Sequence, residues 1–200
     1  QLALSSGYSD AIINSGKVLN RGVELALTTR NFTGAFTWST SLNIAFNHNE
    51  VLALNEDNAP IYSGRSGEGN PTHITQVGHP IGEFFGYVVE GVYATQADFA
   101  ASPKHVTSVL GSIKYRDVDG NGVIEPVKDF AVIGHAQPKY LWGVTNNFGF
   151  KSFDLGVIVT GSQGGQILKS ANQYLLNIDG IFNVDRKVLN PWRSPENPGD

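Results

Sequence analysis

The chain has 200 residues and a formal net charge of −4, with its charged side chains scattered and no run of like charge, so it carries no footprint of a nucleic-acid partner. The absence of cysteine removes disulfides, thiol catalysis and cysteine-ligated zinc, and there is no methionine either. Hydrophobic content of 40%, only 16% charged residues and 23 glycines argue against disorder and against a helical bundle, and set an all-β class as the expectation.

The chain begins at Gln1 without an initiator or a signal segment, and we read it as a piece of a longer precursor. Val18 to Arg30 alternates: Val23, Leu25, Leu27 and Thr29 point one way, and Gly22, Glu24, Ala26, Thr28 and Arg30 the other. Asn31-Phe32-Thr33-Gly34 supplies turn formers, which predicts an antiparallel hairpin with the next strand. That strand, Phe36 to Phe46, has the cleanest alternation in the chain. Phe36, Trp38, Leu42, Ile44 and Phe46 share one face with Thr40 as the sole polar member, against Thr37, Ser39, Ser41, Asn43, Ala45 and Asn47.

Such a strand divides an apolar medium from a wet one. There is no stretch of about 18 apolar residues for a transmembrane helix, but a barrel strand needs only about 9–11 residues with every second one apolar. Eleven residues at a rise of about 3.3 Å and a tilt of about 40° cover about 28 Å, close to the roughly 25 Å apolar band of an outer-membrane barrel. The pattern alone leaves a second solution open, a large soluble sandwich with an aromatic inner face.

Residues 50–139 behave differently and predict a β-rich insert, with glycine-rich turns (Gly64 to Asn70), a Gly-His-Pro-Ile-Gly segment (Gly78 to Gly82) and a short helix within Ala94 to Ser108. Ile81 to Tyr93 is apolar on both faces, as expected of one strand covered on both sides. Tyr140 to Phe150 and Phe153 to Val159 return to alternation, joined by a tight turn at Lys151-Ser152. Aromatic residues sit near the strand ends, where interfacial girdles place them. Gly161 to Gly165 breaks the chain, Gln166 to Asn177 predicts a second short helix, and Asn190 to Asp200 is a proline-rich loop. The expected organisation is a hairpin over 18–49, an extracellular insert over 50–139, a hairpin over 140–162 and an extracellular loop over 163–200, because barrels keep their short turns periplasmic.

Chemistry-bearing motifs are sparse. Asp117, Asp119, Asn121 and Glu125 stand at relative positions 1, 3, 5 and 9 of a calcium-type loop with Gly122 at 6, and the acid expected at 12 is replaced by Lys128, so Asp129 closes the site only if one residue bulges. These five residues are the candidate calcium ligands; the competing reading is an Asp/Asn/Gly turn whose side chains bond their own backbone. The five histidines show no metal-ligand spacing, there is no serine elbow or phosphate loop, and nothing singles out acids such as Asp98 or Glu90 for sugar chemistry. No catalytic residue is expected.

In order and spacing, Asn20-Arg21-Gly22-Val23-Glu24-Leu25, Phe36-Thr37-Trp38, Asn47 to Val51, Gly78 to Tyr87, Glu90-Gly91-Val92-Tyr93, Lys114-Tyr115-Arg116-Asp117, Phe153-Asp154-Leu155 and Trp192 to Pro198 resemble the C-terminal half of SusC/RagA-type TonB-linked outer-membrane receptors. The resemblance covers nearly the whole chain. It implies a transmembrane β-barrel of about 22 strands with a plug and a TonB box outside these residues, in the outer membrane of a Gram-negative bacterium. It also implies active import of glycans or peptides with a SusD-like surface lipoprotein, driven through TonB. It departs from the family pattern at Asp129, one residue later than the family's loop ends. The rivals from other classes are a soluble calcium-dependent carbohydrate-binding β-sandwich and an extracellular glycosidase module.

Overall fold

The computed structural model describes residues 16–55, 57–178 and 180–197. In chain order the elements are β1 (Gly16–Thr33), β2 (Phe36–Leu54), β3 (Ile61–Ser63), β4 (His73–Thr75), β5 (Glu83–Tyr87), β6 (Val89–Val92), α1 (Gln96–Ala101), β7 (Ile113–Tyr115), β8 (Phe130–Gly134), β9 (Tyr140–Phe150), β10 (Phe153–Gln163), α2 (Asn172–Leu175) and a 3-10 turn at Arg186–Leu189. Contacts divide the chain into two compact units. One comprises the described residues up to Ile61 with Thr75–Ile81 and Pro138–Gly164; the other comprises Tyr62–Ile74, Gly82–Gln137 and the described residues from Gly165 onward.

The first unit is a four-stranded antiparallel sheet in the order β1-β2-β9-β10. Its register pairs like with like. Leu25, Ile44 and Trp142 form one cross-strand row, Leu27, Leu42, Val144 and Val159 another, and Phe36, Phe150 and Phe153 a third, so the apolar face crosses from strand to strand, interrupted by the row of Thr29, Thr40 and Asn146. Aromatic side chains gather at both ends of that face: Phe32, Phe36, Trp38 and Phe148 interlock with ring centroids 5.8–6.3 Å apart near the tight turns, and Phe46 meets Tyr140 at 5.6 Å near the other end. Such tilted and offset pairs add to simple area burial.

The hairpin turn differs from the sequence expectation. It is Gly34-Ala35, and β1 runs on to Thr33. A bulge makes this possible: the register passes from Arg30 opposite Ser39 to Phe32 opposite Trp38, skipping Asn31. Strict alternation from Val23 would turn Phe32 to the polar side; one extra residue restores it to the aromatic cluster.

β1 and β2, at 18 and 19 residues, outrun the alternating segment. Beyond Phe46 the pattern changes because a loop covers the strand. Val51 donates its N–H to His79 O (2.9 Å) and accepts from Gly78 N–H (2.8 Å), while buried Asn49 donates to Asn20 Oδ1 (2.7 Å) and accepts from Ile81 N–H (2.8 Å). The Gly-His-Pro-Ile-Gly segment is this clasp, and Gly78 at φ 82 supplies the left-handed turn it needs.

The second unit is built on a mixed set of short strands. The sheet β3-β4-β5-β8 carries a small core of Ile74, Phe85 and Phe130 with Tyr87 and Val127 against it, and β6 pairs with β7 separately. The expected single strand over Ile81 to Tyr93 is therefore two strands in two sheets. Phe84 and Phe85 are both buried, as double-sided coverage requires, whereas Val89 is 60% exposed. α1 begins at Thr95, whose side chain caps Asp98 N–H, and Lys114 of β7 holds Asp98 at 2.7 Å. The second helix is only Asn172–Leu175, much shorter than the apolar face of Gln166 to Asn177 suggests. The final proline-rich loop is described to Asn197; its last three residues, 198–200, lie outside the described residues.

Candidate functional site

The acidic loop lies between β7 and β8 and is held at both ends: Ile124 donates its N–H to Lys104 O, and Asp129 is fully buried just before β8. Carboxylate oxygens of Asp117, Asp119 and Asp129 lie within 4.8 Å of one another. The register gap that Lys128 opens is taken up at Val127, which adopts φ 71, a left-handed conformation that β-branched residues rarely occupy. Asp129 thereby reaches back, accepting from Val118 N–H (2.8 Å) and Glu125 N–H (2.7 Å).

The other two expected ligands stand at the rim. Asn121 donates through Nδ2 to Asp119 Oδ2 (3.0 Å) and accepts Val123 N–H at Oδ1 (2.7 Å); Glu125 is held by Lys128 (2.8 Å). Asp117 accepts N–H groups from Gly122 (2.8 Å) and Gly120 (2.7 Å), and the Gly122 bond, first among the causes, keeps its carboxyl below the ordinary range. Lys128 lowers Glu125 in the same sense. The loop thus presents ionised oxygen ligands suited to a hard cation, while its own backbone already uses several of them. Asp98 and Glu90 are each paired with a cation, Lys114 and Arg116 respectively, and are not brought together as a catalytic pair.

The sheet of the first unit is the second candidate surface. Its polar face carries Thr28 and Ser41 in hydrogen-bond contact (3.1 Å), with Glu24, Arg30, Ser39 and Asn43 on the same side. Gly143 lies against the Asn43 side chain and Gly149 against Thr37, so a Cβ at either position would push that side chain aside. On the opposite face, the polar exception Thr40 belongs to a chain of hydrogen bonds that alternation did not show. Thr29 donates to Asn31 Oδ1 (2.9 Å), Asn31 to Thr40 Oγ1 (2.8 Å), and Thr40 and the Trp38 indole N–H both to Asn146 Oδ1 (2.7 and 2.9 Å). Thr29, Asn31 and Asn146 come from different strands or from a bulge, so no single-strand pattern could pair them. Apolar residues elsewhere on this face are uncovered: Val23 is 69%, Leu25 64% and Phe153 79% exposed.

No protein-family model matches the chain. It is 33% identical over 198 residues to TonB-dependent receptor P3 of Formosa agariphila, a match covering 96% of this chain and 19% of that protein. It is 25% identical over 176 residues to TonB-dependent receptor SusC of Bacteroides thetaiotaomicron, covering 84% of this chain and 16% of the relative. The fold superposes on the RagAB peptide importer in its open-open state with a TM-score of 0.72 at 17% identity, covering all of this chain and 20% of that one.

The chain belongs to the SusC/RagA-type TonB-dependent receptors. It spans about one fifth of the length of the curated receptors it matches. As receptor barrel, the four-stranded sheet needs no second sheet over its apolar face, and the uncovered Leu25 and Phe153 are wall positions. The relatives compared are receptors and an importer by name, with no enzyme among them.

Proposed function

We propose that this chain forms part of the wall and the extracellular loop layer of an outer-membrane importer that draws energy from TonB. The cargo is oligosaccharides or other large nutrients such as peptides, captured with a SusD-like surface lipoprotein. The observation that carries the reading is the sheet's sidedness: one face is mainly aliphatic and aromatic across four strands, with the hydrogen-bonded row of Thr29, Thr40 and Asn146 as its polar exception, and the other is mainly polar or small, with Leu141 and Ile158 as its apolar exceptions. Burying a Val, Leu or Phe side chain is worth about 1.5–3 kcal/mol, so a face with Val23, Leu25, Leu27, Phe46, Leu155 and Val159 all exposed is stable only against an apolar medium, which here is outer-membrane lipid. A soluble calcium-dependent sandwich would need that face covered. The two tight turns, Gly34-Ala35 and Lys151-Ser152, lie at one end of the sheet, and short turns are periplasmic in such barrels. The chain from β2 to β9 and from β10 onward then belongs to the extracellular side. Relatives named as TonB-dependent receptors and a neighbour named as a peptide importer support the same reading.

The acidic loop, in this reading, takes calcium at Asp117, Asp119 and Asp129, with Asn121 and Glu125 at its rim. Its role is to stiffen an extracellular loop, with no part in chemistry. Import is tested by uptake of labelled oligosaccharides into cells making the full-length receptor, with and without TonB. Uptake that needs both the receptor and TonB supports the proposal; uptake unchanged by loss of either sinks it.

A further inference from the structure

A polar cavity of about 360 Å³ opens within the second unit, in the size range of small-molecule sites. Its walls come from three separately braced segments. One is the stacked pair Tyr87 and Tyr115, with centroids 4.3 Å apart and Tyr87 fixed edge-on against Phe130. The second is the turn bearing Glu68 and Asn70, closed by Ser66 N–H donating to Asn70 O (2.8 Å) and Asn70 N–H donating to Ser66 Oγ (3.2 Å). The third is the loop from His105 to Ser112, pinned by Ser108 N–H to His105 O and by Val109 N–H to Ser112 Oγ. Sites braced in this way lose little entropy on binding.

The lining chemistry is selective. No lysine or arginine lines the cavity, and Glu68 supplies a negative charge, so anions are disfavoured. Both phenols keep their protons: burial, ahead of neighbouring charges, pushes Tyr87 up to about 12 and raises Tyr115 as well. At His105, Nδ1 accepts the Thr107 N–H (3.3 Å), which leaves the ring proton on Nε2. The cavity therefore mixes donors (phenol hydroxyls, His105 Nε2–H, the Asn70 amide) with acceptors (Glu68 and the Asn70 oxygen). An ammonium group would use only the acceptors. A ring bearing several hydroxyls uses both sets and lays its C–H face on an aromatic ring.

From this geometry we propose that the cavity between Tyr115, Tyr87, Glu68 and His105 is a subsite for one sugar unit of a neutral oligosaccharide. The assignment rests on the import reading and narrows it from nutrients in general to uncharged saccharides. Its test is saturation-transfer NMR on the full-length receptor in detergent micelles, with malto-, cello-, xylo- and mannotriose as probes and a lysine tripeptide alongside. The expected result is saturation of at least one trisaccharide, with affinity weakened at least tenfold in both Tyr115→Ala and Glu68→Gln. Glu68→Gln keeps the side-chain shape and guards against a folding defect in the other variant, and heat-dependent gel mobility reports folding for both. Binding of no trisaccharide, binding of the tripeptide alone, or trisaccharide binding unchanged in both variants overturns the subsite. Each of these leaves the import reading intact, since that falls only if uptake is independent of receptor or TonB.

Discussion

Asn146 shows how much a single side chain decides in this sheet. Its Oδ1 receives both the Trp38 indole N–H and the Thr40 hydroxyl, so Asn146→Leu would make the face uniformly greasy yet leave two donors without a partner. A buried donor without a partner costs about 1–3 kcal/mol, more than the added apolar surface returns where lipid already solvates the face. Asn146→Leu is expected to lower the unfolding midpoint of the receptor in micelles, and tryptophan fluorescence of Trp38 is the readout. Asp117 is the corresponding residue in the loops. Its carboxyl titrates below the ordinary value of 3.8 because backbone N–H groups stabilise the charged form, and Asp98 is lowered by Lys114 in the same sense. A depressed folded-state value means that this contribution is present above the unfolded value and is lost as pH falls through the folded one. The loop unit should therefore loosen below about pH 4, with hydrogen exchange at Gly120 and Gly122 as the measure. Millimolar calcium should protect these amides in the wild type and fail to do so in Asp117→Ala.

Elements were legible in the sequence where one rule acted alone. The β2 and β9 alternation follows from period two and a single lipid boundary, and the partners Leu42 and Val144 or Phe36 and Phe150 fall into register because both strands obey it. Where two constraints met, the pattern misled. Asn31 bulges, so Phe32 changes face and the turn moves to Gly34-Ala35. Val88 separates β5 from β6, and the two halves of one apolar run serve different sheets. The acidic loop was visible as spacing, but the fit of Asp129 depended on Val127 taking φ 71, which no composition rule would assign to valine. The cavity lined by Tyr87, Tyr115 and Glu68 was invisible, since its walls are separated in sequence and meet only through folding. Sidedness also gives a paired expectation. Leu42→Arg places a charge on the apolar face, at a cost of about 2–4 kcal/mol near the bilayer midplane, and should reduce the heat-modifiable folded band on gels. Asn43→Arg, one residue on and facing the other way, should leave that band close to wild type.

At the scale of the molecule, a two-faced wall and a loop unit share one chain, and the wall is the part whose physics fixes the setting. The alternating part of β2 ends near Phe46, and the clasp from Gly78 to Ile81 begins covering the strand at Asn49. The change from an uncovered apolar face to a folded loop occurs within a few residues, as the proposed membrane surface requires. These 200 residues hold no cysteine, so with any cysteine elsewhere in the receptor replaced, nitroxide labels can be placed one at a time along this strand. The most direct measurement is the accessibility of labels at Ser41, Leu42, Asn43 and Ile44 to oxygen and to a water-soluble nickel chelate, by EPR on the full receptor in bilayers. The expected result is a two-residue oscillation, with Leu42 and Ile44 reached by oxygen and shielded from nickel, and Ser41 and Asn43 shielded from lipid-dissolved oxygen. Labels at Leu42 and Ile44 that meet nickel as freely as a loop position would contradict a lipid-facing wall.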